Sequence, residues 1–413
     1  MRAGLLLGSL CILASTLCWA GDETKSSLVR VRDVVAPART PPLWQLDVKA
    51  LGYGSLKWHR DELIAMRVDV AALSFPGKEY AVVTFVTREA TKGLPRRSSP
   101  DESLPYRMHA LFVDAETGAL RATREWPTAS ERAGVLPATG GNFVVLTPDK
   151  LWLYSEDFHL LHELNLLLSS RAHDEWWQFS ASPNRRYVLL MYAADSRHCR
   201  FEWIGLDDLA ILRSWQEDSK ENVWRGREDL VVLGGHLGSL YEGVMAMPFQ
   251  RGFFLTRYLD GPWRLVRFSR PVASLGAFGF LSGRLLISAE QSVKGLRKGN
   301  ITLIRTDGEV LFQQDFPDNE LFTCLAPSAD GQRFAIATDK GKGGSLTLDI
   351  AVHYSLERIM VNDIPSGKWI FALSGKKQGI KSISALALSP DGLLLGLINQ
   401  DGILEVYRLP PAR

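Results

Sequence analysis

The stretch Ile383-Ser-Ala-Leu-Ala-Leu-Ser-Pro-Asp-Gly392 decides the fold. It continues as Leu393-Leu-Leu-Gly-Leu-Ile398, Asn399-Gln-Asp-Gly402 and Ile403-Leu-Glu-Val-Tyr-Arg-Leu409. It reads as a small-residue strand, a tight turn, an apolar strand, a second turn and a polar-alternating strand. Each turn has a mechanism. Pro390 presets φ, Asp391 can hydrogen-bond the local backbone, and Gly392 and Gly402 accept positive φ without a Cβ clash.

Working outward, Leu321-Phe-Thr-Cys-Leu-Ala-Pro-Ser-Ala-Asp-Gly331 leads into Gln332-Arg-Phe-Ala-Ile-Ala-Thr338 as a second copy. Its later hairpin, Val361-Asn-Asp-Ile-Pro-Ser-Gly367 before Lys368-Trp-Ile-Phe-Ala-Leu373, matches Phe112-Val-Asp-Ala-Glu-Thr-Gly118 before Ala119 to Trp126. Looser copies begin at Ala71-Ala-Leu-Ser-Phe-Pro-Gly77, Phe179-Ser-Ala-Ser-Pro-Asn184 and Ala277-Phe-Gly-Phe-Leu-Ser-Gly283. A unit repeating at this spacing cannot bury its apolar face alone, so neighbouring units must stack. The expectation is an all-β β-propeller of about seven four-stranded blades, near residues 60–127, 133–166, 175–217, 221–269, 272–317, 320–375 and 380–409. The last unit lacks an outer strand. The β-like Leu28-Val-Arg-Val-Arg-Asp-Val-Val35 is expected to supply it and close the ring.

Ser389-Pro-Asp-Gly392, Ser328-Ala-Asp-Gly331 and Asp401-Gly-Ile-Leu-Glu-Val-Tyr407 resemble the WD40-like and TolB-like bacterial propeller repeats. That resemblance implies a scaffold used for protein interaction, ligand binding or, less often, catalysis; a fold of this kind does not choose among them.

The amino terminus carries Arg2, an apolar and small-residue run from Ala3 to Trp19, then Ala20 before Gly21. This is the pattern of a signal peptide cut after residue 20. The expected organisation is a signal peptide at 1–20, an amino-terminal segment with the closing strand at 21–59 and the propeller at 60–413. The product is expected in the periplasm or the extracellular medium, with no transmembrane segment in the mature chain. Of four cysteines, Cys11 and Cys18 leave with the signal, so Cys199 and Cys324 do not build a disulfide framework. With 48 Lys and Arg against 46 Asp and Glu, the chain lacks the basic excess that binding a phosphate backbone requires, and no nucleic acid partner is expected.

No motif specifies a reaction, and the catalytic residues are unknown. Gly341-Lys-Gly-Gly-Ser345 lacks the end of a phosphate loop and a following helix, and Gly234-Gly-His-Leu-Gly-Ser239 misses the spacing of a nucleophile elbow. His198 and Cys199 are adjacent on an expected strand and therefore point apart. Asp207-Asp208 is too small a set to hold calcium. His159 and His162 are the nearest approach to a metal pair, but on a strand they face opposite sides, so no metal and no cofactor is expected. Trp176 and Trp177 are the candidate ligand-stacking residues, one of the two facing outward on a strand. The function expected is a noncatalytic binding or scaffold module with a protein or peptide partner. The alternatives are a lactonase-like or other hydrolase with its site at the channel mouth, and a carbohydrate-binding propeller.

Overall fold

The computed structural model describes residues 40–53, 71–88, 106–128, 133–166, 177–182, 184–193, 198–218, 239–241, 244–249, 252–257, 264–267, 275–281, 284–293, 296–305, 309–317, 320–342 and 353–411. Within them the strands form seven four-stranded antiparallel sheets. Taken in chain order, six of these blades span residues 71–128, 134–165, 177–218, 239–267, 275–315 and 320–374, and the seventh holds 383–408. The protein is an all-β propeller; its strands fall in the expected units to within a residue, while 60–70 and 221–238, expected to open the first and fourth blades, lie outside the described residues.

First strands of neighbouring blades contact one another, Ala71–Ser74 with Gly134–Pro137 and Glu320–Pro327 with Ile383–Leu388 among them, which makes these the inner strands; that of the last blade, Ile383–Leu388, also packs on Ala71–Ser74 of the first. Side chains interdigitate between blades rather than within one. Leu73, Phe75 and Val83 of the first blade share a core with Leu394, Ile398 and Leu404 of the last, and Leu146 and Leu153 of the second share one with Val188 and Ile204 of the third. Outer strands such as Leu160–Asn165 are almost wholly exposed. Polar residues can alternate there without desolvation, which is why the repeat grades from apolar to polar outward.

The fourth strand of the last blade comes from the amino-terminal region, but its residues are not those expected. Trp44–Asp47 pairs antiparallel with Ile403–Arg408, with Trp44 opposite Val406. Leu28 to Val35 lies outside the described residues. The reason is visible in four residues: Trp44 and Leu46 turn inward while Gln45 and Asp47 face solvent. The Trp44 indole donates to the Ala115 carbonyl of the first blade at 2.8 Å and packs on Gly118, so the short strand also grips the neighbouring blade.

Candidate functional site

Three inner hairpins share one turn. In the third blade Arg185 N–H donates to the Ser182 carbonyl at 2.9 Å; in the sixth Gly331 donates to Ser328 at 3.0 Å; in the seventh Gly392 donates to Ser389 at 2.9 Å. In each, the serine hydroxyl oxygen accepts from an amide five residues on, Tyr187, Arg333 or Leu394, at 2.9, 3.0 and 2.9 Å. The residue after the bend has φ 65° at Arg185, 64° at Gly331 and 65° at Gly392. Glycine suits that left-handed conformation, whereas a Cβ there costs ~1–2 kcal/mol. Arg185 is thus an arginine held where the repeat uses glycine, and such departures concentrate at functional positions.

These turns meet at one face of the propeller. They border an open cavity of about 450 Å³ with walls from the first blade (Pro76 to Glu79), the second (Ala138 to Gly141, with Glu156), the third (Asn184, Arg185), the sixth (Ala329) and the seventh (Pro390). The rim is tied blade to blade. Lys78 pairs with Asp391 at 3.2 Å, the Tyr80 hydroxyl donates to the Gly141 carbonyl at 3.0 Å, and Thr139 donates to Asp207. The Arg185 guanidinium crosses from the third blade to donate to the Pro76 carbonyl of the first.

The charges at this mouth are unequally satisfied. Burial alone would raise the Asp391 pKa, but hydrogen bonds from the Ser389 hydroxyl and the Leu393 amide, together with Lys78, outweigh it and hold the carboxyl below its ordinary value. Burial lowers Arg185 to about 10, which leaves it cationic at neutral pH. Among the described residues no carboxylate lies within ion-pair distance of it. Glu156 lies close over the backbone of Gly77 and Gly141. Burial, followed by the Glu156 charge, pushes the Tyr80 phenol up. The arrangement can hold a guest carrying charge, and among the described residues that line it no nucleophile is paired with a base.

Among the described residues, a cluster that imitates such a pair lies elsewhere in the first blade. Thr87 Oγ1 is 2.7 Å from His109 Nε2, and His109 Nδ1 is 3.0 Å from Glu125. Nδ1 nevertheless makes no hydrogen bond of acceptable direction, and the rings of Phe85 and Tyr53 pack on the imidazole. Burial lowers the His109 pKa, with Glu125 partly opposing it. This is a cross-strand polar contact in which His109 is buried and Glu125 reaches solvent.

Apart from Asp207, which is tied to the rim through Thr139, the residues singled out from sequence lie outside the cavity lining or outside the described residues. Trp177 opens the inner strand Trp177–Ala181, and Trp176 lies outside the described residues. Trp203 and Trp369 are buried, the latter donating to Gln314 at 2.6 Å, so both pack. His162 sits on the exposed strand Leu160–Asn165 and His159 in the turn before it, and no third ligand joins them; among the described residues no group of three or more His, Cys, Asp or Glu gathers to hold a metal. Asp207 accepts the Thr139 hydroxyl and Asp208 the Ala210 amide, so the acidic pair serves its own turn and the neighbouring blade. His198 and Cys199 are consecutive on His198–Gly205. Arg185 was missed, although its signal was present: it follows Ser182-Pro-Asn where the two clearest copies place glycine.

A scan against protein-family models and a search of curated proteins returned no match. Among solved structures, BamB from Moraxella catarrhalis is similar at 13% identity and a TM-score of 0.38, over 82% of this chain and 84% of that one. The C-terminal WD40 domain of Sif2 is similar at 10% identity and a TM-score of 0.45, over 86% and 97%. The Myceliophteria thermophila Cps50 (Swd1) β-propeller domain is similar at 11% identity and a TM-score of 0.44, over 84% and 98%. These likenesses concern strand arrangement alone.

Proposed function

We propose that the chain is an exported, noncatalytic binding propeller whose partner is a protein or peptide docked at the channel mouth. The observation that supports this reading is the cavity itself: turns from separate blades converge on one open surface, with Lys78 and Glu79 exposed at its rim. A rigid ring that presents loops from several repeats at one face gives a guest many shallow contacts at little cost in ordering. The run from Ala3 to Trp19 supports export, to the periplasm or the extracellular medium. Among the described residues no helix is long and apolar enough to cross a membrane.

The test is retrieval from the native envelope fraction with the mature chain as bait, alongside Lys78→Glu, an exposed charge reversal at the rim. A protein retained by the wild type and lost with the variant is the expected result. Retention of nothing specific, or of the same protein by both baits, contradicts the reading.

A further inference from the structure

We infer that Arg185 is the recognition residue of the mouth and takes a carboxylate from an acidic side chain of the bound peptide; this rests on the peptide-binding reading above. Three observations converge on it. The turn of the third blade matches those of the sixth and seventh in φ and in its serine hydrogen bonds, so folding the turn does not require an arginine at that position. The guanidinium projects across the mouth to the Pro76 carbonyl and lines the cavity. That contact occupies one donor, and a guanidinium has several more, set in the fork that matches a carboxylate.

Charge balance at the mouth leaves this cation for a guest. Asp391, whose charge acts on Arg185, is committed to Lys78 at 3.2 Å and to the Ser389 hydroxyl at 2.8 Å. Glu156 lines the same cavity from the second blade. It repels a guest acid from that side and directs it toward Arg185. A peptide carrying Asp or Glu meets complementary charge at Arg185 and like charge at Glu156, which fixes its orientation.

The test is selection of a displayed random peptide library on the immobilised full chain, followed by affinity measurements on synthetic copies of the enriched peptides. Asp and Glu are expected to be enriched on the wild type. Binding should weaken roughly tenfold with Arg185→Gly, the loss of one charge-assisted contact, and tighten with Glu156→Gln. Arg185→Glu should shift the selection toward Lys and Arg. Enriched peptides without an acidic bias, or equal affinity for wild type and Arg185→Gly, overturn the role of Arg185 and leave peptide binding standing. Enrichment of no peptide on the wild type overturns the peptide-binding reading and this inference together.

Discussion

Arg185 in the third blade and Gly392 in the seventh occupy the same position of the same turn, with φ 65° in both. What differs is the space beside them. A Cβ built on Gly392 would lie 2.8 Å from Cδ of Arg333, which is buried and donates to the Gly392 carbonyl at 2.8 Å. One turn is closed by a neighbouring arginine, and the other carries its own arginine out over the mouth. The same backbone thus serves a structural end in one blade and a recognition end in another.

Arg185→Gly should leave stability nearly unchanged while weakening ligand binding. The substitution relieves a left-handed side chain worth ~1–2 kcal/mol. Against this stand the extra chain entropy of glycine, ~0.5–1 kcal/mol, and one hydrogen bond to Pro76, about 1 kcal/mol. Urea unfolding of both proteins checks it. A loss well beyond 2 kcal/mol would show that Arg185 is held for stability.

Gly392→Ala should behave oppositely. Its Cβ meets Arg333 and adopts a conformation that L residues avoid, and any shift disturbs the Arg333 contact with Asp363 at 3.4 Å. Both groups are buried, so a destabilisation of about 2–4 kcal/mol is expected in the same unfolding experiment. A neutral result would mean that the turn relaxes without moving the ion pair.

Trp44→Ala should lower stability by about 2 kcal/mol through lost packing and the lost indole bond to Ala115. It should also loosen the edge of the last blade, because Trp44–Asp47 covers the backbone groups of Ile403–Arg408. Exposed edges recruit other chains, so the variant should aggregate at a lower temperature, measured by light scattering during a thermal ramp.

Acid should weaken the contacts that Asp391 makes at the mouth. The folded pKa of Asp391 lies below its unfolded value, so its stabilisation is present above the ordinary carboxylate range and disappears as pH falls through the depressed folded value. Asp391→Asn should therefore be less stable than the wild type at pH 7, with the difference narrowing below about pH 4. Urea midpoints of both proteins across that interval test it, and a gap that widens toward acid contradicts the assignment.

The blades were legible because their information is local. Ser328-Ala-Asp-Gly331 and Ser389-Pro-Asp-Gly392 each fix a turn within a few residues, and the strands between them follow from apolar runs of matching length. The edge strand was misplaced because Trp44-Gln-Leu-Asp47 is short, and its partner Ile403–Arg408 lies at the other end of the chain. Leu28 to Val35 looked more strand-like by composition alone. The mouth was illegible for a related reason: Pro76, Glu156, Arg185 and Pro390 become neighbours only when the ring forms. Tryptophan content pointed elsewhere, and Trp203 and Trp369 prove to be packing residues.

The most direct measurement is site-specific photo-crosslinking in the native envelope, with a photoreactive side chain at Lys78 on the mouth and, as a control, at Leu160, 53% exposed on the outer face of the second blade. A discrete protein adduct from position 78 and none from position 160 is the predicted result. Adducts from the outer face with none from the mouth would contradict the account and place the binding surface on the rim of the blades.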